Sequence, residues 1–194
     1  MRLNDAVNIV LPIGERQAFH VPLSREVFEA NYRILAATKA ALSSKGIYYQ
    51  MDAGPRIASL TLLDEARKDA EERGNTDDEG QGRDTAGRAI LGEIKRLTTI
   101  ICEGPAGFDP LPVEAAISAG HIDADDWREA EAALVFFTCL YSLAPKAVKT
   151  KTAEAVASIL QGSITASSLS EYASSLQNST TAEPLTKGTS SLPT

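Results

Sequence analysis

His20 and His121 are the two histidines of this chain and Cys102 and Cys139 its two cysteines, so imidazole or thiolate chemistry has to be built from these four. A histidine acts as a general base when a serine, cysteine or carboxylate can be brought within hydrogen-bond reach of it. His20 lies in a β-rich run and His121 in a turn after Gly120. Neither stands at a spacing that signals a triad or an HExxH zinc helix. Both cysteines sit in apolar runs, TTIICEG and VFFTCLYS, with no second Cys or His at metal-ligand spacing. They read as two small buried hydrophobes in a reducing compartment. No GxxxxGK[ST] or GxGxxG segment occurs, and Gly80-Gln81-Gly82 lies among acids that repel phosphate. Glu71, Glu72, Asp77, Asp78 and Glu79 could suggest calcium, but they lack the alternation and the closing glutamate of an EF-hand loop. The expectation is no catalytic residue, no cofactor, no metal and no enzymatic activity.

The composition sets the remaining bounds. At 194 residues the chain has room for one domain with a real core and a tail. A net charge of -7 argues against nucleic acid as a partner, because that affinity comes from Lys and Arg displacing counterions. Much of the acidity falls in residues 64–84 (DEARKDAEERGNTDDEGQGRD), which reads as a solvated helix end and loop. Asn4 and Asp5 stand where a signal peptide would begin with basic residues. The longest apolar run, residues 132–144, is shorter than the ~20 residues of a membrane span. A cytoplasmic protein without a membrane partner is expected.

The elements that would position any site are mostly helical. Residues 6–13 (AVNIVLPI) and 17–23 (QAFHVPL) flank Gly14-Glu15-Arg16 and predict an N-terminal β-hairpin. Pro12 and Pro22 each lack a backbone donor, which points to edge strands or strand ends. Ser24 caps a helix carrying Val27, Phe28, Asn31, Ile34, Leu35, Thr38 and Leu42, closed by Gly46. After Tyr48 and Tyr49 a second helix begins near Pro55, with Ile57, Leu60, Leu63 and Ala66 as its stripe. A third is predicted over residues 85–101, with Ile90, Leu91, Ile94, Leu97 and Ile101 on one face. The loop EGPAGFDPLP follows, then a short helix over residues 113–118. Asp123, Asp125 and Asp126 start a helix with Trp127, Leu134, Phe137 and Tyr141, whose second half, AALVFFTCLYSLA, is apolar nearly all round. Such a helix belongs at the centre of a bundle, with its aromatics in the core. Pro145 ends it, and residues 147–160 form one more helix.

The predicted fold is therefore mainly α: a helical bundle over residues 1–162 with a small β-hairpin at residues 1–23, followed by a Ser/Thr-rich tail over residues 163–194. Within that tail Ser168-Leu169-Ser170-Glu171 has the spacing of a capping box. Leu169, Tyr172, Ala173 and Leu176 then share one face of a short helix at residues 168–176. A helix that short is unstable alone in water, so its apolar face needs a surface: its own domain, another copy or a partner.

Several segments, in order, resemble a known family: PLSREVFEANYRIL (22–35), AGPRIASL (53–60), EIKRLTTI (93–100), EAALVFFTCL (131–140) and SLSEYASSL (168–176). Together with the apolar strand pair before them they are similar to the tail assembly chaperones of long-tailed bacteriophages. The resemblance implies a mainly helical protein of the host cytoplasm, absent from the finished virion. It implies binding to the tape measure protein, recruitment of tail tube protein around it, and self-association in several copies. It also implies that a longer form arises by ribosomal frameshifting, this chain being the short one. Leu169, Tyr172 and Leu176 are the partner-binding residues this reading selects. The first rival reading is a structural virion protein of the tail or head-tail connector, its hairpin adding to a neighbour's sheet; the second is an enzyme of unrecognised type, which would need His20 or His121 in a pocket beside a carboxylate.

Overall fold

The N-terminal apolar runs pair as β1 (Asn8–Ile13) and β2 (Arg16–His20), with Ile13 opposite Arg16 across a Gly14-Glu15 turn. Gly14 takes φ +54°, as tight hairpin turns require. In the computed structural model, which describes residues 7–44, 46, 51–104 and 107–180, this pair is the middle of a larger sheet. β3 (Thr98–Gly104) lies antiparallel to β2, and β4 (Gly107–Pro112) lies antiparallel to β3. β5 (Ser163–Thr165) pairs antiparallel with the other side of β1. The order is β4-β3-β2-β1-β5.

This overturns the mainly α bundle with a small hairpin: the chain is a mixed α and β fold around a five-stranded antiparallel sheet. The third helix does not run to residue 101. It stops at Arg96, and the β-branched run Thr98-Thr99-Ile100-Ile101 goes on as strand, where branched side chains pack best. The segment GFDPLP, expected as loop, is the edge strand beside it. β1 and β2 are not edge strands either. Pro12 is accommodated because β5 pairs only Asn8, Ile9 and Val10 and has ended before reaching it. The part of the second helix's approach through Tyr48 and Tyr49, residue 6 of the first strand, loop residues 105–106 and the tail beyond residue 180 lie outside the described residues.

Helices cover one face of this sheet. α1 (Arg25–Ser43) is capped by Ser24, whose hydroxyl accepts from the Val27 amide at 3.2 Å. α2 (Gly54–Glu72) follows, then α3 (Thr85–Arg96) and α4 (Val113–Ser118). α5 (Ala124–Ser142) starts with a full capping box between Asp123 and Asp126. A single 3-10 turn (Lys146–Val148) leads into α6 (Lys149–Ile159). α5 packs against α1, α2, α3, α6 and β1, which explains why it is apolar nearly all round. Its Leu134, Val135, Phe136 and Phe137 are fully buried, and Trp127 is in the core as its helical spacing suggested. From the sheet Ile9, Leu11, Ile13, Ala18, Ile100 and Cys102 join the same core.

The second helix buries a different stripe from the one its large residues suggest. Gly54, Ala58, Leu62, Ala66 and Ala70 face inward, and Leu60 is 67% exposed. Small residues are needed on that face because α2 is wedged against both α1 and α5. Leu62→Ala should therefore cost about 2–5 kcal/mol and Leu60→Ala under about 0.5 kcal/mol. Urea unfolding checks this: equal midpoint shifts for the two variants contradict the assigned stripe.

Candidate functional site

The other face of the sheet carries the feature most suited to binding. In β1 to β3 the alternation is apolar on both sides, so Val10, Phe19 and Ile101 point away from the helical core and form a second apolar cluster. Phe108 of β4 extends it. The register puts Val10 opposite Phe19, and Ile101 between Gln17 and Pro110, giving a continuous patch across four strands.

α7 (Leu169–Thr180) lies on this patch. The predicted capping box is formed: the Ser168 hydroxyl accepts from the Glu171 amide at 3.3 Å, and the Glu171 carboxylate accepts from the Ser168 amide at 2.8 Å. That hydrogen bond from the Ser168 backbone holds the Glu171 carboxyl below the usual carboxylate range. Leu169, Tyr172 and Leu176 all pack onto the patch, and Ala173 is buried with them. The Tyr172 ring meets Phe19 at 5.7 Å between centroids, and its hydroxyl donates to Gln17 Oε1 at 2.9 Å. The Asn8 side chain donates to the Ser167 carbonyl at 2.9 Å, anchoring the start of the helix over β1. Leu176, two turns on, shares a cavity of about 190 Å³ with Ile101, Phe108 and Arg16. α7 thus crosses the sheet from β1 toward β4. All three residues selected from the sequence are brought together, on the chain's own sheet.

The receiving residues carry a fainter sequence signal. Val10, Phe19, Ile101 and Phe108 sit in runs such as Ile9-Val10-Leu11 and Ile100-Ile101-Cys102, where no polar residue breaks the alternation. Continuous apolar strands of that kind signal burial on both faces.

The residues with chemical potential are dispersed. His20 is fully buried, its Nδ1 lying 2.9 Å from the Thr98 hydroxyl. That hydroxyl donates its proton to the Ile94 carbonyl at 2.7 Å, so it accepts from His20 and the ring carries its hydrogen on Nδ1. Nε2 is then an unprotonated nitrogen without a hydrogen-bond partner among the described residues. Burial pushes the imidazole pKa down to about 3. His121 lies in the turn after α4, its amide bonded to the Ala116 carbonyl. Cys102 and Cys139 are both buried, and burial pushes the Cys139 thiol up to about 12. The acidic loop is organised by its own chain: Asp77 accepts from the amides of Glu79 and Gln81, and Glu71 accepts from Gly82. A broader cleft of about 720 Å³ opens between the Gly14 turn, the start of α2 and the end of α6, with Arg56, Asp126 and Glu129 on its walls. No helix among the described residues is long and apolar enough to cross a membrane. Comparison of the chain with protein-family models, with curated proteins and with solved structures returns no match.

The buried imidazole makes stability depend on pH in a definite direction. Unfolded, His20 takes a proton near pH 6.5; folded, it takes none until about pH 3. The unfolded state binds more protons throughout that window, so stability is full above it and falls as the pH drops through it. Between pH 7 and about pH 4.5 the loss from this residue should be about 2–3 kcal/mol. Urea titrations at both pH values check it: His20→Gln should flatten the slope, and an unchanged slope removes His20 as its cause.

Proposed function

We propose that the chain is a phage tail assembly chaperone, acting by reversible protein-protein binding on the tape measure protein and helping to recruit tail tube protein around it. The observation that carries this reading is the seating of α7. An amphipathic helix lies on an apolar sheet face through Leu169, Tyr172 and Leu176, with side-chain hydrogen bonds from Tyr172 and Asn8. A face that takes one such helix is suited to another, and contacts so few can be given up. The ordered segments from residue 22 to residue 176 that resemble the family support the same reading.

The mechanism follows from that surface. Before a tail tube encloses it, the tape measure protein is a long helix that exposes apolar side chains and needs covering. When α7 lifts, the patch on the sheet and the ridge of α7 that covered it supply apolar walls, and the net charge of -7 keeps the covered complex soluble. Several copies, each making a modest contact, give avidity along the client while the growing tube displaces them one at a time. No bond is made or broken. The site of action is the host cytoplasm, and the finished particle lacks the protein.

A structural virion protein that extends its sheet into a neighbour has little edge to use. β1 and β2 are internal strands, β4 carries Pro110 and Pro112, and β5 is three residues long. Mass spectrometry of purified particles separates the readings: the chain should be absent, and stoichiometric incorporation overturns the chaperone assignment. In co-expression with the tape measure protein, the full chain should keep the client soluble. The double variant Tyr172→Ala, Leu176→Ala should lower the soluble client about tenfold or more, as expected for loss of two apolar anchors. A folded double variant that solubilises the client as well as the parent contradicts the role of this face.

A further inference from the structure

The joint between α6 and β5 is built against the preference of its own side chain. After Ile159 the Gln161 amide bonds to the Ser158 carbonyl at 3.2 Å and the Gly162 amide to the Ala157 carbonyl at 2.8 Å. This is the Schellman pattern, in which the residue at the Gln161 position takes left-handed backbone and is usually glycine. Here Gln161 sits at φ +54°, the one non-glycine residue with positive φ among the described residues. The neighbouring glycine serves a separate need, since a Cβ on Gly162 would lie 2.4 Å from the Val10 carbonyl oxygen. The chain therefore enters β5 through a strained residue that a one-place shift of the glycine cannot relieve.

Beyond this joint, β5 and α7 form an arm held by few interactions. β5 meets β1 through three residue pairs, Ser167 accepts from Asn8, Tyr172 donates to Gln17, and the apolar ridge rests on Val10, Phe19, Ile101 and Phe108. All of these receiving groups belong to β1–β4, and a second copy of the chain presents the same groups in the same geometry.

We propose that the arm, residues 163–180, exchanges between two copies of the chain. Each β5 then pairs with the partner's β1, and each α7 covers the partner's apolar sheet face. The occupant is the one segment the structure shows to fit this face. Exchange keeps the arm's contacts while freeing Gln161 of both copies from the left-handed region. What it costs is association entropy, so the equilibrium depends on concentration. The inference rests on the joint and on the arm's contacts, and it stands whatever client the protein serves.

Light scattering coupled to size exclusion tests it on the full chain. A monomer-dimer equilibrium is expected, and Gln161→Gly should lower the dimer association constant by about tenfold or more, because glycine occupies the closed joint without strain. Arm exchange is read directly from an equal mixture of ¹⁴N and ¹⁵N chains, incubated together, with a photoreactive phenylalanine analogue in place of Leu176. In the dimer fraction about half of the cross-links to the Phe108 peptide should join a light chain to a heavy one, as random pairing of two-fold dimers requires. Cross-links confined to one isotope, a dimer constant unmoved by Gln161→Gly, or a monomer at every soluble concentration each overturn the proposal. None of these readouts uses the client, so their failure leaves the chaperone reading to its own test.

Discussion

A sheet whose strands are apolar on both sides must be covered on both sides. Ile9, Leu11 and Ile13 of β1 point one way and Val10 the other; β2 does the same with Ala18 and Phe19, and β3 with Ile100 and Ile101. Leaving either face in water would forfeit on the order of 1.5–3 kcal/mol for each large side chain. The helical layer centred on α5 covers one face, and the C-terminal helix covers the other. The position of α7 follows from this constraint, and so does the return of the chain along β5 to reach that side.

The two coverings differ in kind. The inner one is a packed core in which Phe136, Phe137, Leu134 and Ile94 are fully buried. The outer one is a single helix whose Ser170, Glu171, Ser174 and Ser175 stay exposed and whose apolar contacts come from one ridge. Elements of low local contact density open first, so the outer layer is the one expected to open before the helical core does. His20 belongs to the inner layer: fully buried and held neutral with its hydrogen on Nδ1, it ties β2 to the Thr98–Ile94 joint.

Sheet edges are treated as carefully as sheet faces. Pro110 and Pro112 remove donors from β4, and β5 is too short to template a long partner. Both prolines still face β3 across the ladder, so the donors they lack are lost from the outer edge. In β1 the pairing with β5 ends at Val10, so Pro12 faces only β2.

Local signals were legible in the sequence wherever they are satisfied locally. The Ser24 and Asp123 caps, the capping box at Ser168, the Gly14 turn and the apolar run of α5 depend on groups a few residues apart, and they stand where the residue types put them. The amphipathic face of Leu169, Tyr172 and Leu176 was equally plain, though not what lay beneath it. The fold class is not legible in the same way, because strand-pairing partners lie far apart in the chain. Thr98 to Ile101 prolongs the helical stripe on paper, and pairing with β4 and with β2, whose His20 lies 78 residues before Thr98, makes it a strand. GFDPLP and Ser163-Ile164-Thr165 have no strand signature of their own and become strands by adjoining β3 and β1. The sequence by itself determined which faces are apolar and where helices begin. Tertiary structure alone decided which apolar face meets which, because hydrogen bonds between strands and burial between layers are made by residues whose neighbourhood does not exist until the chain has closed on itself.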